Sequence, residues 1–231
     1  MSSLPAVHPL LPRFAQAITG ALCLEAIVFG APAALAVALA LVLLSLAGPR
    51  WSPVAWVFRR IAPPAAELEP AAPVRFSQAI AAAVLTASLM LIAVGLPAAG
   101  WVVAGMVAAL ALVSAISGVC VGCEAYRLLL PLRRGSDGDV RADLGLTGPG
   151  PWLVVLTAPG CARCEPLARA VERAAGAREV VRVDLSRQPR AASLPVRSVP
   201  AALAVGADGR LRVARAGRLD GPEIAQVLAA L

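Results

Sequence analysis

The sequence predicts a multi-domain chain: an all-α transmembrane four-helix bundle made of two tandem hairpins, followed by a small α/β domain. Two observations carry this reading. Residues 14–47 and 76–119 hold a single charged side chain, Glu25, whereas residues 127–231 carry charge throughout. The second region also opens with an apolar run, Trp152-Leu153-Val154-Val155-Leu156, followed by Cys161-Ala162-Arg163-Cys164 and an amphipathic helical pattern. A chain of 231 residues that is 59% hydrophobic and 15% charged is too apolar for one ordinary soluble domain.

Taken in order, the first apolar block is broken near Gly30-Ala31-Pro32 and the second near Gly95-Leu96-Pro97, so each reads as a helical hairpin. Helices are expected at about 14–29, 33–47, 76–94 and 101–119 within a membrane domain of residues 1–134. Segments of about 15 to 19 residues span roughly 22 to 29 Å, close to a hydrocarbon core of about 30 Å, and cross it with little tilt. Arg13-Phe14-Ala15-Gln16-Ala17-Ile18 recurs as Arg75-Phe76-Ser77-Gln78-Ala79-Ile80, each copy opening a hairpin, which points to duplication.

Arginines precede the first helix, lie between the second and third, and follow the fourth, while the opposite turns have none. The positive-inside rule then places both termini and the α/β domain in the cytoplasm of an integral membrane protein of bacterial type. Trp51 to Ile61, with Trp51, Trp56 and Phe58 beside Arg59 and Arg60, reads as an interfacial segment. Glu25 is expected toward the outer end of the first helix, either as a snorkelling carboxylate or in a proton or quinone-site role. Residues 1–12 have no positive cluster and do not read as a cleaved signal peptide.

The net charge of +7 comes entirely from arginine, with no lysine. The arginines are scattered, so the balance argues against nucleic acid and for anionic lipid headgroups as partners. Gly135-Ser136-Asp137-Gly138-Asp139 begins a linker over 135–150, and the second domain begins near Pro151.

Cys161 and Cys164 are spaced for a redox dithiol. A thiol on the first turn of a helix faces unpaired N–H groups and the positive end of the macrodipole, which stabilises its thiolate. A second thiol three residues on can close a disulfide. Beyond that helix come a strand pattern at 179–185, a short polar segment, Val199-Pro200 leading into another strand, an Asp208-Gly209 hairpin turn and a closing helix from about 221.

Over residues 151–231 this order resembles the thioredoxin superfamily in its small, glutaredoxin-sized version. The resemblance implies that Cys161 is the attacking nucleophile, Cys164 the resolving thiol, and Pro200 the cis-proline of a loop beside them. Three departures stand out. Gly160 replaces the usual Trp, Ala162-Arg163 replaces Gly-Pro, and no buried acid is evident among Leu153, Val154 and Val155. Arg163 should favour the thiolate and tune the potential in the oxidising direction, while Gly160 changes solvent access to the site.

A second C-x-x-C, Cys120 and Cys123, lies in Gly118-Val119-Cys120-Val121-Gly122-Cys123-Glu124-Ala125-Tyr126, expected at the inner end of the fourth helix. Residues 10–134 resemble a membrane family known only as domain of unknown function 4395. The resemblance rests on the Arg-Phe-x-Gln openings, the Ser52-Pro53 to Arg59 segment and this cysteine-bearing ending. It implies a partnership with thioredoxin-like proteins.

The expected function is a membrane-anchored thiol-disulfide oxidoreductase in which the Cys161/Cys164 dithiol exchanges electrons with Cys120/Cys123. Its partners are protein thiols or disulfides, or small sulfur compounds. No cofactor is required; a quinone enters through the Glu25 alternative and through an architectural parallel with enzymes of the vitamin K epoxide reductase type. Two other classes fit the same residues: a thiolate site for zinc or copper, and a non-catalytic membrane adaptor. Cys23, alone in an apolar helix, is expected to be core packing.

Overall fold

The computed structural model describes residues 6–134, 138–194 and 196–231. The chain runs β1 (Ala6–Val7), α1 (Leu10–Phe29), α2 (Pro32–Ala47), α3 (Pro53–Ile61), β2 (Glu69–Pro70), α4 (Ala71–Ala93), α5 (Pro97–Ser117) and α6 (Val121–Arg134). It continues with α7 (Arg141–Leu144), β3 (Trp152–Thr157), α8 (Cys164–Ala175), β4 (Val180–Asp184), a 3-10 turn at Pro189–Ser193, β5 (Ala201–Val205), β6 (Leu211–Ala216) and α9 (Gly221–Ala229). These elements form two compact units. One joins Leu10–Pro63 to Pro73–Tyr126; the other joins residues 6–9 and Pro64–Ala72 to Arg127–Leu231.

In the helical unit, α1, α4 and α5 are long and apolar enough to cross a membrane, while α2 is apolar but has only 16 residues. Cys23 and Ala26 of α1, Leu35 and Ala38 of α2, Leu85 of α4 and Ala104 of α5 are buried in one cluster. Small residues bring the helices close: a Cβ on Gly20 would collide with Leu112, and one on Gly100 with Ile92. Ser88 Oγ donates to the Gly100 carbonyl at 2.8 Å, satisfying a buried hydroxyl between α4 and α5.

Three helices begin earlier than the sequence pattern suggested, at Leu10, Ala71 and Pro97. The physical reason is proline in the first turn, where its missing N–H has no intrahelical partner to lose: Pro12, Pro73 and Pro97 start these helices rather than preceding them. Pro53 does the same for α3, whose N-cap Ser52 accepts the Ala55 N–H at 3.1 Å. The two opening arginines behave alike. Arg75 Nη2 donates to the Leu46 carbonyl at the end of α2, and the Arg13 guanidinium lies where a side chain on Gly118, after the end of α5, would collide with it. Each cation thus meets the negative end of a helix in the other hairpin.

The second unit is built on a four-stranded mixed sheet in the order β4-β3-β5-β6, with β3 and β4 parallel and the other pairs antiparallel. Side chains alternate across it as a period of two requires. Leu153, Val155, Ala202 and Ala204 pack against Leu167 and Val171 of α8 and Ile224 and Val227 of α9. Trp152, Val154, Leu156, Leu203 and Val205 face the other way. Asp220 and Glu223 form a reciprocal capping box at the start of α9.

That second face is covered by residues the sequence reading had placed elsewhere. The linker expected at 135–150 instead packs as far as Leu146: Val140, Leu144 and Leu146 are buried against the sheet, and the Val140 N–H donates to the Gly209 carbonyl at 2.9 Å. Residues 135–137 lie outside the described residues. Ala6 and Leu68, both assigned to the membrane domain from sequence, join the same cluster. Apolar side chains at 140, 144 and 146 cover a sheet face that would otherwise be wet, which outweighs the Gly- and Asp-rich composition around them.

Candidate functional site

β3 carries the chain to Thr157, where Ala158-Pro159-Gly160 turns it back into Cys161. Gly160 has φ +80°, a conformation that side-chain-bearing residues rarely adopt, and a Cβ there would meet nothing within 4 Å. Its glycine therefore answers to backbone conformation rather than to space. α8 begins at Cys164, with Arg163 as N-cap, so Cys161 sits in the turn before the helix and not on its first turn as the spacing suggested. Cys161 and Cys164 form a disulfide with Cα atoms 5.5 Å apart. Cys164 is buried and Cys161 half-buried, so Cys161 is the more exposed residue of the pair.

The Val199–Pro200 peptide bond is cis, and the Pro200 carbonyl accepts the Gly217 N–H at 2.8 Å. This loop flanks the disulfide, with Cys161 Sγ lying 3.8 Å from the Val199 carbonyl oxygen. Cys164 packs in an apolar cluster with Val154 and Leu156, and among the described residues no carboxylate is buried.

A segment that sequence reasoning missed completes the surroundings. Residues 65–68 run past the dithiol, bending at Ala66 and Glu67 before Leu68 forms a β-bridge with Val199. Ala65 and Ala66 carbonyls accept the N–H groups of Ala162 and Arg163 at 3.4 and 3.2 Å, and Leu68 exchanges two backbone hydrogen bonds with Val199, at 2.9 and 2.7 Å. The Ala66 carbonyl oxygen lies 3.8 Å from Cys161 Sγ. Glu67 Oε1 is 2.6 Å from Arg163 Nη1, and its other oxygen accepts from Ser198 Oγ at 3.3 Å. The Arg163 guanidinium beside the dithiol is thus paired with a carboxylate. The only signal for this segment was Pro63-Pro64 and Pro70, which bar a helix and bracket the acidic pair Glu67 and Glu69.

The second cysteine pair is placed differently from the sequence expectation. Gly118 adopts φ +74° and ends α5, so Cys120 and Cys123 lie at the start of a separate helix, α6, rather than at the end of the one before it. Cys120 is the N-cap: its carbonyl accepts the Glu124 N–H at 3.0 Å, and its sulfur accepts the Cys123 N–H at 3.3 Å. Ser77 Oγ lies 3.3 Å from Cys120 Sγ. Hydrogen bonding from the Cys123 thiol, then from Ser77, the Cys123 N–H and Gln16, outweighs the opposing effect of burial and lowers the Cys120 pKa to about 5. Cys120 is half-buried and Cys123 buried. Gln16 and Ser77 belong to the two copies of the repeated opening motif, so the repeat itself was the signal for this pocket.

Cys23 is fully buried in the helical core. Among the described residues no group of three or more His, Cys, Asp or Glu side chains converges as a metal site, so the thiolate metal reading finds no ligand set there.

Fold and site together define a chain with a helical region of three potential membrane-crossing helices and an α/β region bearing a dithiol in its disulfide form. The chain belongs to the family described as domain of unknown function (DUF4395), whose model matches residues 7–130. No curated protein and no solved structure gives a significant match.

Proposed function

We propose that this protein is a membrane-anchored thiol-disulfide oxidoreductase whose working group is the Cys161/Cys164 dithiol on a thioredoxin-like domain. The observation that carries the reading is the placement of the Cys161–Cys164 disulfide, which follows a buried strand, lies beside the Val199–Pro200 loop and leaves Cys161 the more exposed residue of the pair. The strand order β4-β3-β5-β6, with α8 and α9 on one face, supports the thioredoxin-like assignment.

In the reduced protein, the Cys161 thiolate attacks one sulfur of a partner disulfide. A mixed disulfide forms and the partner's other sulfur leaves as thiolate. Cys164, after losing its proton to solvent, attacks Cys161 Sγ, closes the internal disulfide and releases the second partner thiolate. Two electrons pass from the dithiol to the partner, and the reverse sequence oxidises a partner dithiol. That proton goes to water, since no carboxylate is buried among the described residues.

Cys120 and Cys123 are the second dithiol of this proposal. Cys120, the half-buried N-cap with a lowered pKa, is the nucleophile of the pair, and Cys123 resolves. Exchange between the two dithiols moves electrons between the α/β domain and the membrane region.

The test uses the full chain in detergent with Cys164→Ser. Mixed disulfides on Cys161 are expected to accumulate, and a Cys161 to Cys120 or Cys123 crosslink identifies the relay. Failure of Cys161 and Cys164 in the wild-type chain to change oxidation state across a glutathione redox series would overturn the reading.

A further inference from the structure

The segment at 65–68 occupies backbone groups on both sides of Cys161: the N–H groups of Ala162 and Arg163, which bond to the Ala65 and Ala66 carbonyls, and Val199, which forms a β-bridge with Leu68. The bridge is a single rung of the kind used in β-augmentation, where backbone hydrogen bonds supply affinity and side chains supply selectivity. The side-chain contribution is electrostatic, because Glu67 bridges Arg163 and Ser198, and Gly217 leaves room for its carboxylate, 3.2 Å from where a Cβ would stand.

Occupancy and catalysis compete for the same space. The Ala66 carbonyl oxygen is 3.8 Å from Cys161 Sγ, on the sulfur that an incoming disulfide must approach. The Ala66 and Val199 carbonyl oxygens both lie 3.8 Å from Cys161 Sγ. The segment therefore crowds the sulfur. The segment is held by backbone hydrogen bonds, one partly exposed ion pair, the Ser198–Glu67 hydrogen bond and the packing of Leu68 on the sheet, none of which is a rung of the four-stranded sheet itself.

We propose that residues 65–68 are a resident strap filling a peptide-binding site of the Cys161/Cys164 dithiol, and that the partners admitted there are extended polypeptide disulfides with an acidic residue opposite Arg163. This rests on the redox reading above. Small disulfides reach Cys161 while the strap fluctuates, whereas a polypeptide must displace it.

The experiment uses the full chain in detergent, reduced, with Cys120, Cys123 and Cys164 changed to Ser. Two probes are compared: dithionitrobenzoate, and the peptide Ala-Cys-Glu-Leu-Glu as its thionitrobenzoate mixed disulfide, alongside its Ala-Cys-Arg-Leu-Arg counterpart. Leu68→Pro removes an N–H that donates to Val199, and Glu67→Arg sets like charges against Arg163. Each is expected to accelerate thionitrobenzoate release by the acidic peptide about fivefold or more, the factor that loss of one ordinary hydrogen bond represents. The wild-type chain should prefer the acidic over the basic peptide. Glu67→Arg is a surface change that keeps the test open if Leu68→Pro fails to fold. Equal or slower peptide rates in folded variants, with normal reaction toward dithionitrobenzoate, would overturn the strap alone. A Cys161 inert to every probe in all variants would overturn the redox reading and the strap with it.

Discussion

Ser77 and Cys120, 43 residues apart in sequence, meet with Oγ and Sγ separated by 3.3 Å at the start of α6. A residue of the second repeated opening thus touches the N-cap of the helix that carries the second dithiol. Together with the Cys123 thiol and N–H, it lowers the Cys120 pKa to about 5. Alkylation of Cys120 by iodoacetamide should therefore rise through a midpoint near pH 5 rather than at about 8.5, where an ordinary cysteine titrates. Cys123→Ala should move that midpoint up further than Ser77→Ala, because the Cys123 thiol is the larger cause. Since the folded pKa lies below the unfolded one, the ionised Cys120 stabilises the fold above pH 8.5 and loses this effect as pH falls through 5. A midpoint that stays near 8.5 in the wild-type chain would contradict the geometry.

Gly122 shows how tight that pocket is. A Cβ there would lie 2.6 Å from Ser77 Oγ and 3.1 Å from the Ser77 Cα, so the clash involves backbone and not only a rotatable hydroxyl. Gly122→Ala should cost about 1 to 3 kcal/mol, the usual range for overpacking. It should also raise the Cys120 pKa by pushing Ser77 away. Thermal unfolding in detergent and the same alkylation profile report the two effects separately.

The helical blocks, the cysteine pair and the succession of strands and helices along the second domain were legible because each rests on local pattern: apolar runs between Gly-Pro breaks, and an apolar run ahead of a C-x-x-C. Helix starts were displaced because a proline in the first turn looks the same in sequence as one before the helix, as at Pro12, Pro73 and Pro97. The Cys120 pair was read as a helix end because nothing local revealed that Gly118 would take a left-handed conformation and restart the chain as α6. The strap was illegible for a different reason. Leu68 pairs with Val199 through backbone groups that every residue has, and only Glu67 opposite Arg163 left a side-chain trace.

The packed stretch at 140–146 gives a test of domain boundaries. Leu144 is fully buried on the sheet face opposite α8 and α9, and Val140 is buried beside it. Leu144→Ala should destabilise the α/β unit by about 2 to 5 kcal/mol, as truncation of a buried leucine does. Denaturant unfolding of the full chain, followed by Trp152 fluorescence with the other tryptophans changed to Phe, reads this directly. An unchanged midpoint would restore the flexible linker that the composition suggested.

α3 offers a prediction about the membrane surface. Its inner side buries Val54, Ala55 and Phe58, with Phe58 packed 5.6 Å from Phe14 between ring centroids. Its outer side exposes Trp56, Val57 and Ile61, and the Arg60 guanidinium lies 4.1 Å over the Trp56 ring. An exposed aromatic and two aliphatics under a cation form the pattern that seats a helix at the lipid headgroup level. With Trp56 as the sole tryptophan, lipids brominated near the headgroup should quench its fluorescence more than lipids brominated near the chain terminus. Arg60→Glu should weaken the shallow quenching in anionic vesicles, since each surface arginine contributes about 1 kcal/mol of attraction there. Equal quenching at both depths, or none, would place this face in water and remove α3 from the membrane interface.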